Sequence, residues 1–135
     1  MGIQRRILVV DDEPVVVKTV SKVLRRQGFD VVSAADGEEA LEKVRSSNPD
    51  LVILDIEMPK LDGIEVLQRI KGSPETASLP VIMLTGKAGD EDILKGYKYG
   101  ADCYIPKPFK MIDVLQGIEM IFKSIDEEAS HRFKI

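Results

Sequence analysis

The amino-acid sequence predicts an α/β fold: a doubly wound, five-stranded parallel sheet with helices on both faces. Two observations carry this. Short apolar runs rich in branched residues recur at Ile7–Val10, Val31–Ala34, Leu51–Leu54, Val81–Leu84 and Cys103–Ile105. They are continuous rather than alternating, which marks strands covered on both faces, as in a parallel sheet. Between them lie segments whose apolar residues recur with helical period.

Taken in order, Pro14–Gln27 places Val16, Val20, Val23 and Leu24 on one face, and Gly28 offers a stop. Gly37–Ser47 carries Ala40, Leu41 and Val44, with Pro49 just beyond its end. Asp62–Lys71 carries Ile64, Leu67 and Ile70, with Asp62 as N-cap. A shorter segment, Glu91–Tyr99, closes on Gly100. The last helix is the clearest, since Met111, Val114, Leu115, Ile118, Phe122 and Ile125 follow the i, i+3, i+4, i+7 rule. After Ile125 the period is lost and the tail, residues 126–135, is expected to fray. Strands and helices thus alternate throughout, and right-handed crossovers leave the flavodoxin-like strand order 2-1-3-4-5 as the leading topology.

The 135 residues suit one domain with its own core. The net charge of −4 is mild and the cations read as scattered along the chain, so nucleic-acid binding is not expected. One cysteine, Cys103, cannot form an internal disulfide and reads as a small core residue. No apolar run is long enough to span a bilayer, and the start of the chain is not a signal peptide, so a cytoplasmic protein without membrane contact is expected.

In sheets of this kind, ligands bind outside the carboxyl ends of the strands, where the strand order reverses. Here the reversal lies between the first strand, which ends in Asp11-Asp12, and the third, which ends in Asp55. Three like charges in one crevice oppose folding unless a cation joins them. A hard divalent ion with oxygen ligands answers that need, Mg²⁺ first and Mn²⁺ as a substitute. The fifth strand adds Lys107, so acids, ion and lysine balance to zero formal charge. The fourth strand ends in Thr85-Gly86, a hydroxyl and an unobstructed backbone N–H suited to phosphoryl oxygens. Singly, each residue has a bland reading: Asp11-Asp12 as a helix cap, Asp55 as a turn residue, Thr85 as another cap. Lys107, wedged between Pro106 and Pro108, is the hardest to explain that way. Convergence of four strand ends favours a site.

From Arg6 to about Ile125 the sequence resembles the receiver domain family of two-component signalling. The residues that carry the resemblance are Ile7-Leu-Val-Val-Asp-Asp-Glu13, Pro49-Asp50-Leu-Val-Ile-Leu-Asp55, Met58-Pro59 with Asp62-Gly63, Leu84-Thr85, and Gly100-Ala101-Asp102 through Lys107-Pro108-Phe109. The resemblance implies a single receiver domain in which Asp55 is the phosphoacceptor. It implies that Asp12 binds the metal directly, Asp11 through water, and Glu57 through its backbone carbonyl. Thr85 would contact the phosphoryl group, Lys107 would pair with it, and Tyr104 would be the switch aromatic. Glu57 and Lys87 would tune hydrolysis and could pair across the pocket mouth. The Lys107–Pro108 bond is expected to be cis.

The implied donor is a phosphohistidine of a histidine kinase or a histidine phosphotransfer protein. The implied readout surface comprises Glu91–Tyr99, Cys103–Ile105 and the last helix. A relay or sink for phosphate is the alternative role. The chain is not expected to be an enzyme beyond its own phosphorylation and dephosphorylation. A phosphatase using an aspartyl phosphate would place its nucleophile in a D-x-D-x-T pattern after the first strand, and a flavin module would not open its first loop with Asp11-Asp12-Glu13. No output domain is recognisable within these residues, so the output partner is left unassigned. Cys103 replaces an acid, and Met111–Ser124 lacks the arginines, of one family dimer mode, which is therefore not expected. His131, the single histidine, is not expected to take part in phosphotransfer. Tyr97 and Tyr99 fit packing and partner contact equally.

Overall fold

The computed structural model describes residues 4–58, 61–86 and 99–132. Its strands are β1 (Arg6–Val10), β2 (Asp30–Ala34), β3 (Leu51–Asp55), β4 (Val81–Thr85) and β5 (Cys103–Pro106). They form one parallel sheet in the order β2-β1-β3-β4-β5, as expected. Each strand runs one residue beyond its apolar run, because the ladder continues wherever backbones pair, whatever the side chain. Asp55 thus sits opposite Leu84, and Thr85 opposite Pro106. Both residues stand on regular strand backbone rather than in loops.

The helices among the described residues are α1 (Pro14–Arg26), α2 (Gly37–Ser47), α3 (Gly63–Gly72) and α4 (Met111–Arg132). Pro14 opens α1, where its missing N–H costs nothing, and Gly28 turns the chain at φ +95° after it. Asp36 caps α2 by accepting the Glu39 N–H at 2.8 Å, and Asp62 caps α3 by accepting the Glu65 N–H at 2.9 Å. The helix expected at Glu91–Tyr99 lies outside the described residues except for Tyr99, which stands in a turn.

The expected fraying after Ile125 is not observed, since α4 continues to Arg132. Arg5, just before β1, lies 4.2 Å over the Phe122 ring and pairs with Asp126. The next turn of helix is thereby tied to the amino end of the sheet, without any apolar period.

Alternate residues of each strand feed two cores. Ile7, Val9, Ile53 and Ile82 pack with Val20, Leu24, Val114 and Ile118 of α1 and α4. On the other face Leu8, Val10, Leu54 and Met83 pack with Ala40, Val66, Leu67 and Ile70 of α2 and α3. Both faces are covered, which is why the strands read as unbroken apolar runs.

Candidate functional site

Among the described residues, the buried polar side chains are Asp11, Ser21, Asp55 and Thr85. Three of them stand at carboxyl ends of strands or one residue beyond. Carboxylates are rarely buried to this degree without a partner. Here Asp11, Asp12 and Asp55 place carboxylate oxygens within 4.8 Å of one another, with Asp12 open to solvent. Lys107 reaches into the same crevice, its Nζ 3.3 Å from Asp11 Oδ2 and 3.2 Å from Asp55 Oδ2. The Lys107–Pro108 peptide is cis, as expected.

Backbone amides complete the frame. Asp11 Oδ1 accepts the Glu13 N–H at 2.9 Å, and Asp55 Oδ1 accepts the Glu57 N–H at 3.2 Å. The N-cap of α1 is Glu13, not Asp11 or Asp12, and its side chain makes no capping bond. Neither of the first two acids is therefore the cap of this helix. Beneath Asp55, the start of α3 presses on the strand end. A Cβ on Gly63 would lie 2.3 Å from the Asp55 carbonyl oxygen, so only glycine lets the helix approach this closely.

Burial and then the Asp11 carboxylate push the Asp55 carboxyl from 3.8 up to about 6, against the pull of Lys107. Burial draws the Lys107 ammonium down, but Asp55 and Asp11 outweigh it and hold the group above its usual range. The crevice thus carries three acids against one base, an imbalance that a bound cation would relieve.

A family model described as the response regulator receiver domain matches residues 7–119. The chain belongs to that family. The receiver is 42% identical over 119 residues to the alkaline phosphatase synthesis transcriptional regulatory protein PhoP of Bacillus subtilis, covering 88% of this chain and 49% of that protein. It is 36% identical over 132 residues to the DNA-binding response regulator MtrA of Mycolicibacterium smegmatis, covering 98% and 57%. The chain thus spans about half the length of these curated relatives. A CheY-like receiver domain protein from Methanospirillum hungatei superposes with a TM-score of 0.88 at 30% identity, covering 93% of this chain and 99% of that one.

The remaining expected site residues fall as follows. Thr85 is buried at the end of β4, and its carbonyl accepts the Lys107 N–H at 2.6 Å. Tyr104 pairs in register with Met83 and packs, half-buried, on the α2 and α3 side of the sheet. Side chains two residues apart share a strand face, so Thr85 and Tyr104 lie diagonally on that same face. Glu57 is exposed, and Lys87 lies outside the described residues, so their pairing does too. Cys103 is half-buried on the opposite face, where burial pushes its thiol up. Tyr99 packs on the α2 and α3 side, which favours the packing reading; Tyr97 lies outside the described residues. Gly63 was visible in the sequence only within the Asp62-Gly63 pair. Its contact with Asp55 had no local signal, because it depends on how two distant segments meet.

Proposed function

We propose that this receiver accepts a phosphoryl group on Asp55 from a phosphohistidine of a histidine kinase or histidine phosphotransfer protein. The observation that carries the reading is the Asp55 carboxylate, 2% exposed, 3.2 Å from Lys107 and clustered with Asp11 and Asp12. A hard-oxygen donor set of this kind fits Mg²⁺, or Mn²⁺, rather than a soft ion. Asp12, Asp55 and the Glu57 carbonyl would hold the ion, with Asp11 acting through water. Once bound, it supplies positive charge for the oxygens in transfer.

An Asp55 oxygen attacks phosphorus in line; a P–O bond forms as the P–N bond of the donor breaks, and the imidazole leaves. Lys107, already fixed between two carboxylates, stabilises charge on the equatorial oxygens without having to reorganise. Water later attacks phosphorus, releasing phosphate and restoring Asp55, so the chain catalyses only its own modification and its loss. Glu57 and Lys87 tune the rate of that step, as the family resemblance implies.

Thr85, drawn toward the phosphoryl group, frees space on the sheet face it shares with Tyr104. The ring moves inward, and the surface of β5 and α4 changes what a partner meets. Such a switch is a population shift that phosphate biases. Asp102 secures the other end of this strand, accepting the Val81 N–H at 2.8 Å and pairing with Lys71 at 3.2 Å. Motion is thereby directed to the end that bears Lys107.

We assign the present residues the signal-receiving role on the cytoplasmic side. The transcriptional regulation named for PhoP and the DNA binding named for MtrA are not assigned to these residues. A relay role is the second reading, because a receiver domain from a histidine kinase of Syntrophus aciditrophicus shares the fold at 29% identity. Labelling by a small acyl phosphate with Mg²⁺ tests the central claim. Wild type should label, Asp55→Asn should not, and Asp12→Ala should fail for want of metal; wild-type labelling of Asp55→Asn would move the phosphosite elsewhere. Backbone NMR with a phosphate mimic separates the two roles: shifts reaching Tyr104 mark a switch, whereas shifts confined to the rim of Asp55 mark a relay.

A further inference from the structure

Gly63 is not the only glycine pressed against the segment that follows β3. The other is Gly37, the first residue of α2. Its backbone is not left-handed, unlike that of Gly28 and Gly100. Glycine also weakens a helix relative to alanine. Neither conformation nor propensity accounts for it, which leaves space. A Cβ on Gly37 would lie 2.5 Å from the Leu61 carbonyl oxygen, 2.7 Å from the Leu61 Cβ and 2.8 Å from the Val66 Cγ2. All three distances are well inside van der Waals contact, and the first is to a backbone atom. Leu61 and Val66 are themselves buried in the core that α2 and α3 share.

Leu61 stands four residues after Glu57 and two before Gly63. The stretch from Asp55 to Gly63 is held at three places. Asp55 Oδ1 accepts the Glu57 N–H at 3.2 Å, and the Ile56 carbonyl accepts the Gly63 N–H at 2.9 Å. Those two holds are internal to the stretch. The third, Leu61 against Gly37, comes from a separate element. Helix α2 carries none of Asp11, Asp12, Asp55, Thr85 and Lys107, so its bearing on the site runs through this contact.

We propose that Gly37 is a positioning residue for the divalent metal: by letting α2 approach Leu61, it fixes where the Glu57 carbonyl lies. The proposal rests on the reading of that carbonyl, with Asp12 and Asp55, as metal ligands. A methyl group at position 37 forces Leu61 to move. β3 is held in the middle of the sheet, and α3 already presses on Asp55 through Gly63. The displacement therefore falls on the residues between, and Glu57 is among them. Mg²⁺ registers such a shift because it demands near-ideal octahedral geometry.

The readout is Mg²⁺ affinity, measured by calorimetric titration of unphosphorylated protein, so no transfer chemistry enters. Gly37→Ala should weaken Mg²⁺ binding by about tenfold, the lower end for groups that orient a ligand from behind. In labelling by an acyl phosphate, the Mg²⁺ concentration giving half-maximal rate should rise by the same factor, while the rate at saturating Mg²⁺ stays close to wild type. Val44→Ala, about two turns further along α2, removes core volume away from Leu61. It should lower the unfolding temperature and leave Mg²⁺ affinity unchanged. Leu61→Ala loosens the same contact from the other side and should also weaken Mg²⁺ binding; it decides the question if Gly37→Ala does not fold. Unchanged affinity in a folded Gly37→Ala overturns the proposal, as does an equal loss in Val44→Ala. Where Gly37→Ala does not fold, unchanged affinity in Leu61→Ala overturns it. A wild type that binds no Mg²⁺ would remove the metal reading itself and this proposal with it, so the wild-type titration tells the two failures apart.

Discussion

The two ends of the sheet both carry charge, and they handle it in opposite ways. At the amino end Arg6 donates to Asp30 at 2.6 Å, its backbone N–H donates to Asp50 at 2.7 Å, and its guanidinium also reaches the Ser47 carbonyl. Arg5 is paired with Asp126. The charges there are partly exposed, each arginine has a carboxylate of its own, and the contacts tie the start of the sheet to β2, α2 and α4. At the carboxyl end three acids cluster beside one lysine, which pairs with two of them, and those two are almost wholly buried. Matched charges near water hold structure at little gain or loss. Unmatched buried charges are costly, and a fold retains them where a ligand completes the set. The same sheet thus has a closed end and an open one.

The sharpest way to break the open end without touching a charge is at Gly63. Gly63→Ala places a methyl group 2.3 Å from the Asp55 carbonyl oxygen and 2.7 Å from the Ile56 Cα, both backbone atoms that cannot swing aside. The expected cost is about 3 kcal/mol in chemical denaturation, the upper range for overpacking. Labelling of Asp55 should also slow by about tenfold or more, because the nucleophile's backbone must shift. A variant with wild-type stability and labelling would show that α3 does not position Asp55.

The closed and open ends also differed in how far they could be read in advance. Strand order, both core faces and the convergence of Asp11, Asp12, Asp55, Thr85 and Lys107 were legible, because apolar runs mark strands and the topology dictates which strand ends meet. Helix caps at Asp62 and the stop at Gly28 were legible too, being local. The Arg5–Phe122–Asp126 contact was not, since it joins residues far apart in sequence through one side chain's reach.

A second test asks whether the charge at the open end is truly in excess. The Asp55 carboxyl binds its proton more tightly folded, at about 6, than unfolded, at 3.8. In metal-free protein its stabilising contribution is complete below the unfolded value and is lost as pH rises through the folded one. Asp55→Asn mimics the protonated form at every pH. Its thermal stability should match wild type near the low end of that window and exceed it by about 2–3 kcal/mol at neutral pH. Saturating Mg²⁺ should narrow or reverse the gap, since only wild type keeps all its ligands. Equal stability of the two metal-free proteins at neutral pH would mean that Lys107 alone balances the site.

At the closed end, losses should be smaller and should leave labelling intact. Arg6→Ala should lower stability by about 1 kcal/mol, since its ion pair with Asp30 is screened by water on both sides. Slower labelling in this variant would mean that the two ends are coupled through β1.

The smallest expected effect belongs to Arg5, and it separates two ways of holding the end of α4. The guanidinium lies 4.2 Å over the Phe122 ring, and Phe122 itself meets Phe29 with ring centroids 6.1 Å apart. Its carboxylate partner, Asp126, is 63% exposed, so that pair contributes little in salt. The contact over the ring is less screened and contributes about 0.5–1 kcal/mol. Arg5→Ala should therefore lower global stability by less than about 1 kcal/mol, while amide hydrogen exchange beyond Ile125 should accelerate markedly. Asp126→Asn should do much less, because it leaves the ring contact in place. If Asp126→Asn frays the helix as fully as Arg5→Ala does, the ion pair and not the aromatic stack is what carries α4 to Arg132.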